Sequence, residues 1–166
     1  MKPLVGIIMG SDSDLQVMQE AAKILKQFDI AYEIGVYSAH RSPHRTLDYV
    51  KTANDRGLKL IIAGAGASAH LAGVTAAETT LPVIGVPIDS SPLSGFDALL
   101  ATVQMPPGVP VATMGVGKSG ATNAGFLAIQ ILALSDEKLA ARLKEYKANL
   151  EKSVEEKSRR VQETSI

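Results

Sequence analysis

Histidine, arginine, serine and aspartate brought together can move a proton near neutral pH and hold a phosphorylated ligand. Three short segments carry them: Gly10-Ser-Asp-Ser-Asp14, Ser38-Ala-His-Arg41, and the small-residue run Gly64-Ala-Gly-Ala-Ser-Ala69 followed by His70 and Leu71. In the second segment His40 is the side chain suited to acid–base work. Beside it, Arg41 can clamp phosphate or carboxylate through two N–H donors. In the first, the hydroxyls of Ser11 and Ser13 and the backbone N–H groups offer an anion site at a helix start. Asp14 would repel phosphate and so must face something else, such as sugar hydroxyls. One serine or aspartate here would read as a helix cap, but two Ser–Asp pairs exceed what a cap needs. His70 either caps the helix it opens or lines the pocket, and His44, one turn into a helix, reads as a surface residue. Three histidines and no cysteine argue against a transition-metal site.

Two other motifs invite nucleotide readings that the rest of the chain does not support. Gly64-Ala-Gly66-Ala-Ser-Ala69 fits a relaxed dinucleotide fingerprint, and Asp89 lies at a suitable distance downstream. That loop follows the third strand rather than the first, however, and the chain leaves little room for a separate catalytic domain. Gly117-Lys118-Ser119 resembles the end of a phosphate-binding loop, but the leading glycine of that motif falls on Ala112. Lys118 is better read as capping a loop or joining a subunit contact.

The elements that must position these segments alternate along the chain. Leu4 to Met9 is a continuous apolar run, as expected of a strand covered on both faces. A helix follows with Met18, Ala21, Leu25 and Phe28 on one side, and a capping box from Ser13 to Gln16 is expected at its start. Tyr32 to Tyr37 reads as strand two. Ser42-Pro43 supplies an N-cap with proline at the first helical position, for a helix running to about Arg56. Leu58 to Ala63 is strand three, with a helix through about Thr79; Pro82 to Pro87 is strand four, with a helix entered at Ser94 to Asp97 and ending before Pro106. Val111 to Met114 is strand five, then a helix over Ala121 to Ala133 and a charged final helix over about 136–162. This alternation predicts an α/β domain spanning 1–166, with a parallel five-stranded sheet, right-handed crossovers and an extra C-terminal helix. Ligands of such sheets bind beyond the carboxyl ends of the strands, where the three segments fall.

Composition narrows the function. Among the 166 residues 17 basic side chains balance 17 acidic ones, which gives no support to a nucleic-acid or anionic-membrane binder. No apolar run approaches the roughly 18 residues of a membrane span, and Met1-Lys2-Pro3 leads into a strand rather than a signal peptide. With no cysteine, a reducing cytoplasm is the expected compartment. Charge is unevenly spread: between Leu60 and Ser135 only Glu78, Asp89, Asp97 and Lys118 are charged. A middle so poor in charge predicts burial between subunits.

Taken in order, the segments resemble class I of the phosphoribosylaminoimidazole carboxylase family. The resemblance runs from about Val5 to Ala133 and rests on Met9-Gly-Ser-Asp-Ser-Asp14, Ser38-Ala-His-Arg41, Ala63-Gly-Ala-Gly66 with Ala69-His-Leu71, and Pro82-Val-Ile-Gly-Val-Pro87. Leu93-Ser-Gly95, Gln104-Met-Pro106, Gly108-Val-Pro-Val-Ala112 and Asn123-Ala124 extend it. It implies a flavodoxin-like three-layer fold, a homo-octamer, and no metal, biotin or nucleotide cofactor. It also implies an isomerase of purine biosynthesis, moving a carboxylate from the exocyclic nitrogen of 5-(carboxyamino)imidazole ribonucleotide to ring carbon 4 by decarboxylation and recarboxylation.

By the same resemblance His40 matches the proton-transfer histidine, and Ser11, Asp14 and Arg41 match substrate-binding positions, with Ser13 and Ser38 as neighbours. Small residues at Gly64 to Ala69 would let the backbone close over the imidazole and retain carbon dioxide, with Gly64, Ala65, Gly66, His70 and Leu71 expected among the substrate-binding residues. Arg41 and Ala69-His70-Leu71 favour class I over the sister class, which uses free carbon dioxide and generally has lysine after the histidine. The chain departs from the family at Ala67-Ser68, often Gly-Gly or Gly-Ala, and at Ala72, often proline. The alternatives are the sister carboxylase and a non-catalytic flavodoxin-like binding module, since fold alone does not give function. The partners expected are the nucleotide substrate, further copies of the chain and an enzyme that hands over the unstable substrate; nucleic acid and membrane are not among them.

Overall fold

Val5–Met9 (β1) has no polar side chain, and all five residues are buried inside the sheet. The computed structural model describes residues 2–164. Tyr32–Val36 (β2), Leu60–Gly66 (β3), Val83–Ile88 (β4) and Ala112–Thr113 (β5) complete a five-stranded sheet in the order β2-β1-β3-β4-β5. Every neighbouring pair is parallel. The order changes direction between β1 and β3, the place where sheets of this order open a crevice. The register aligns the carboxyl ends: Met9 pairs with both Val36 and Gly64, and Gly66 pairs with Ile88.

Strand alternation sorts the side chains to two faces. On one face Ile8, Ile61, Ala63 and Val83 pack with Val50, Leu71 and Ala72 from the helices Pro43–Lys51 (α2) and Leu71–Glu78 (α4), α3 being the short turn Ala53–Arg56. Phe96–Val103 (α5) covers the same face, with Thr102 against Gly85. The opposite face meets Leu15–Gln27 (α1), whose buried Met18, Ala21, Ala22 and Leu25 form its apolar stripe. Gly125, in the helix Gly117–Ala133 (α6), packs in turn on Ile24 of α1. Each large side chain so buried contributes about 1.5–3 kcal/mol of transfer free energy.

Several boundaries differ from the sequence reading for local reasons. The capping contact falls on Ser11 and Asp14, not on Ser13 and Gln16: a 3-10 turn over Asp12–Asp14 precedes α1, and Ser11 N–H donates to Asp14 Oδ2 at 3.1 Å. The helix opened by Ser42-Pro43 breaks at Thr52, whose hydroxyl bonds back to Asp48 O at 2.8 Å, a geometry that bends helices. The short turn α3 then ends on Gly57 in the left-handed conformation. Strand five is shorter than expected, since Pro110 has no N–H to pair, although Met114 N–H still reaches Gly85 O at 2.9 Å. α6 starts at Gly117 rather than Ala121, the glycines and serine of its first turn being carried by packing against weak propensity.

By internal contacts the chain divides between Ala128 and Ile129. The second unit holds Glu137–Thr164 (α7), capped by Asp136 Oδ1, which accepts the N–H groups of Lys138 and Leu139 at 3.0 Å each. Leu139 is buried, while Leu150 and Val154 of the same stripe are exposed. Among the described residues no helix is long and apolar enough to cross a membrane.

Candidate active site

The loops after β1, β2 and β3 meet at the carboxyl edge of the sheet around a cavity of about 330 Å³. Ser11, Ser13, Asp14, Ser38, His40, Arg41, Ala65, Gly66, His70 and Leu71, all singled out in the sequence, line it. Gly64 does not. It lies one residue deeper on β3, facing the core, where a side chain would meet Met18 Sδ at 2.2 Å, and its carbonyl accepts the Gly10 N–H at 3.2 Å. Gly10, Ala39 and Ala69, which lie within the three segments, also line the cavity, as does Ser90, which lies outside them. Ser90 was legible in principle, since it follows β4 at the same edge. Its hydroxyl sits over Gly66 so closely that a Cβ there would lie 1.7 Å from Oγ.

The first two loops are held by short polar bonds. Arg41 Nη2 donates to Gly10 O at 2.9 Å and so ties the loop after β2 to the loop after β1. Ser38 Oγ accepts Arg41 N–H at 3.1 Å, fixing the start of the turn. Ser42 holds the expected N-cap position of α2, yet its hydroxyl turns back to Ser38, accepting that residue's N–H and donating to its carbonyl. His44 is exposed on α2, as its position in the helix suggested. Asp14 is buried, and burial raises its carboxyl pKa above the ordinary value; bonds from Ser11 and Ser13 and the charge of Arg41 oppose the rise. The site thus holds a partly desolvated carboxylate and a guanidinium beside half-buried Ser11 and exposed Ser13, a set able to bind ribose hydroxyls and phosphate.

The third loop is held differently. Ala67 and Ala69 have φ of 50° and 32°, left-handed conformations that cost an alanine about 1–2 kcal/mol. Ala69 N–H is tied to Gly66 O at 3.0 Å and its side chain is buried. Ala67 belongs to the Ala67-Ser68 departure, and there the chain adopts a glycine-like backbone without the glycine. Ala72 is buried against the position of Gly85, which leaves it no need of a larger side chain. Beyond the loop, His70 opens α4 but makes no side-chain cap bond. It lines the cavity, and its Nδ1 lies 2.7 Å from Nε2 of His40 with the two rings edge to face.

Two other recesses are less suited to chemistry. One, around Glu33, Tyr37, Arg45, Tyr49 and Arg56, is neutralised from within. Arg56 pairs with Glu33 at 2.9 Å and covers the Tyr49 ring, while Arg45 covers Tyr37. The other, with Asp89, Lys118 and Ser119, shares Ser13, Asp14 and Ser90 with the main cavity. Lys118 lies there in the first turn of α6 rather than in a phosphate-wrapping loop. Among the described residues no group of three His, Cys, Asp or Glu side chains is placed to hold a metal ion.

A family model described as AIR carboxylase matches residues 4–153. The chain belongs to the AIR carboxylase family. Within that family it is 57% identical over 158 residues to the N5-carboxyaminoimidazole ribonucleotide mutase of Bacillus subtilis, covering 95% of this chain and 98% of that one. The relative of the same name from Thermotoga maritima is 53% identical over 161 residues, covering 97% and 93%. A crystal structure of Treponema denticola PurE superposes with a TM-score of 0.83 at 32% identity, covering 95% of this chain and 98% of that one. The five-stranded flavodoxin-like architecture expected from the sequence is therefore the fold of the family.

Proposed function

We propose that this chain is an isomerase of purine biosynthesis that converts N5-carboxyaminoimidazole ribonucleotide to 4-carboxy-5-aminoimidazole ribonucleotide. One observation carries the reading: His40, Arg41, Asp14 and Ser11 converge on one cavity in a chain 57% identical to a mutase along nearly its whole length. The chemistry suits that set. The carboxylate leaves the exocyclic nitrogen as carbon dioxide, and the nitrogen keeps the bonding pair and takes a proton. Ring carbon 4 then attacks the trapped carbon dioxide and loses its own proton. One proton is lent and one recovered, so a single acid–base group, His40, closes the cycle.

In this reading Arg41 and the serines of the first two loops hold the phosphate, and Asp14 the ribose hydroxyls. Ala65, Gly66 and Leu71 enclose the imidazole and the carbon dioxide. The reaction runs without metal, biotin or nucleotide cofactor. The working form is a cytoplasmic homo-octamer, and the enzyme that makes the unstable substrate hands it over. The exposed apolar side chains Leu93, Phe96, Leu100 and Val103, in and before α5, support assembly, because they fall in the charge-poor middle of the chain. Arg41 favours this reading over carboxylation with free carbon dioxide.

Purified protein given the carboxyamino substrate in EDTA and without ATP is expected to form the carbon-4 isomer. Absence of turnover overturns the proposal. Efficient use of aminoimidazole ribonucleotide with low bicarbonate would move the chain to the sister reaction. Light scattering on the same preparation tests the octamer.

A further inference from the structure

The ring pair at the cavity has a chemical polarity. Across 2.7 Å only one of the two facing nitrogens, His40 Nε2 or His70 Nδ1, can carry the hydrogen. His70 stands at the N-cap position of α4, where the aligned peptide dipoles place partial positive charge. An acceptor lone pair is favoured there over a donor N–H. His40 lies on the loop between β2 and α2, and among the described residues its side chain has no hydrogen-bond partner but His70. The other charged groups lining the cavity are Asp14 from the loop after β1 and Arg41 from the loop after β2.

We infer that His70 is a positioning residue for the proposed isomerisation: its Nδ1 accepts the Nε2–H of His40 and leaves His40 Nδ1 as the nitrogen that lends and recovers the proton. The role in turnover rests on the mutase reading; the ring-to-ring bond does not. As the carbon–nitrogen bond breaks, its electron pair stays on the exocyclic nitrogen and takes the Nδ1 proton of the His40 imidazolium. Carbon dioxide departs and is attacked by ring carbon 4, whose proton then passes to the Nδ1 lone pair. The Nε2–H remains on His70 throughout, so His40 neither rotates nor changes tautomer between its two tasks.

The test compares His70→Leu with His70→Asn, whose amide oxygen can occupy the place of Nδ1. Because His70 is exposed, both variants are expected to fold as the parent does. Nitrogen-15 spectra of the imidazoles in ligand-free protein should show neutral His40 as the Nε2–H tautomer. In His70→Leu the two neutral tautomers of His40 should mix, since the bond that fixes the Nε2–H is gone. In turnover His70→Leu should lower kcat about 10-fold or more while KM moves less than about threefold. His70→Asn should recover most of kcat. An unchanged His40 tautomer in His70→Leu, or equal impairment of the two variants, overturns the inference. Should the parent protein itself fail to turn over, the mutase reading falls, and the spectra still decide whether the bond exists.

Discussion

The interior of the strands and their carboxyl ends are the same segments of chain put to opposite uses. Inside, β1, β3 and β4 bury Ile7, Ile8, Ile61, Ile62 and Ile84 completely and carry no ionisable group. A few residues further along each strand the chain turns polar, and Asp14, Arg41, His40 and His70 gather around one cavity. The difference teaches that stability and chemistry are separated along each strand rather than between domains. A change in the interior should cost folding free energy and spare turnover, and a change at the ends should do the reverse.

The sharpest break of that division would come from His40. His40→Asn is expected to lower kcat by roughly 10²- to 10⁴-fold, the range of general acid–base catalysis, with an unchanged melting temperature and with substrate still bound. Calorimetry beside the turnover assay checks both halves, and a large loss of stability would erase the comparison. The reciprocal change, Ile62→Ala, should cost about 2–5 kcal/mol in urea unfolding while kcat of the folded fraction stays put.

Asp14 sharpens the boundary, because it is buried like the interior and polar like the ends. Its raised pKa means that folding favours the protonated carboxyl, so the ionised form costs stability. The wild type therefore loses stability as pH rises from the ordinary value of 3.8 through the raised native value. Asp14→Asn lacks that loss. It should be the more stable form at neutral pH, with the gap closing below 3.8, and it should bind substrate less well; stability curves against pH and KM test the two claims. The smallest effect is expected from Ala67→Gly. Relief of the left-handed alanine, less the entropy of glycine, should leave a gain of up to about 1 kcal/mol. A loss of stability would show that the loop is not strained.

Much of this division was legible before any coordinates. The apolar runs of β1, β3 and β4 are the signature of strands covered on both faces, and the loops after them fall at one edge by topology alone. What escaped depends on contacts that no local pattern records. The break at Thr52 comes from one hydroxyl bonding back into its own helix, and the late start and early end of β5 depend on a proline and a single ladder bond. Gly64 and Gly66 look alike in sequence and share one face of β3, yet one lies over Met18 in the core and the other against Ser90 at the cavity, because two residues carry the strand from its covered middle to its open carboxyl end. His40 and His70 stand 30 positions apart on different loops, and only the direction of both rings brings them together.

Ser90 and Gly66 show what such packing asks of descent and redesign. The hydroxyl of Ser90 occupies the space a side chain at position 66 would fill. The two sites therefore behave as one unit of inheritance. A side chain at Gly66 needs Ser90 to move and would still stand 3.2 Å from Ile88 O, so a change at position 90 eases a small substitution at 66 without fully clearing its space. Libraries that vary one without the other will sample this edge of the cavity poorly, whereas paired variation offers a route to reshaping it.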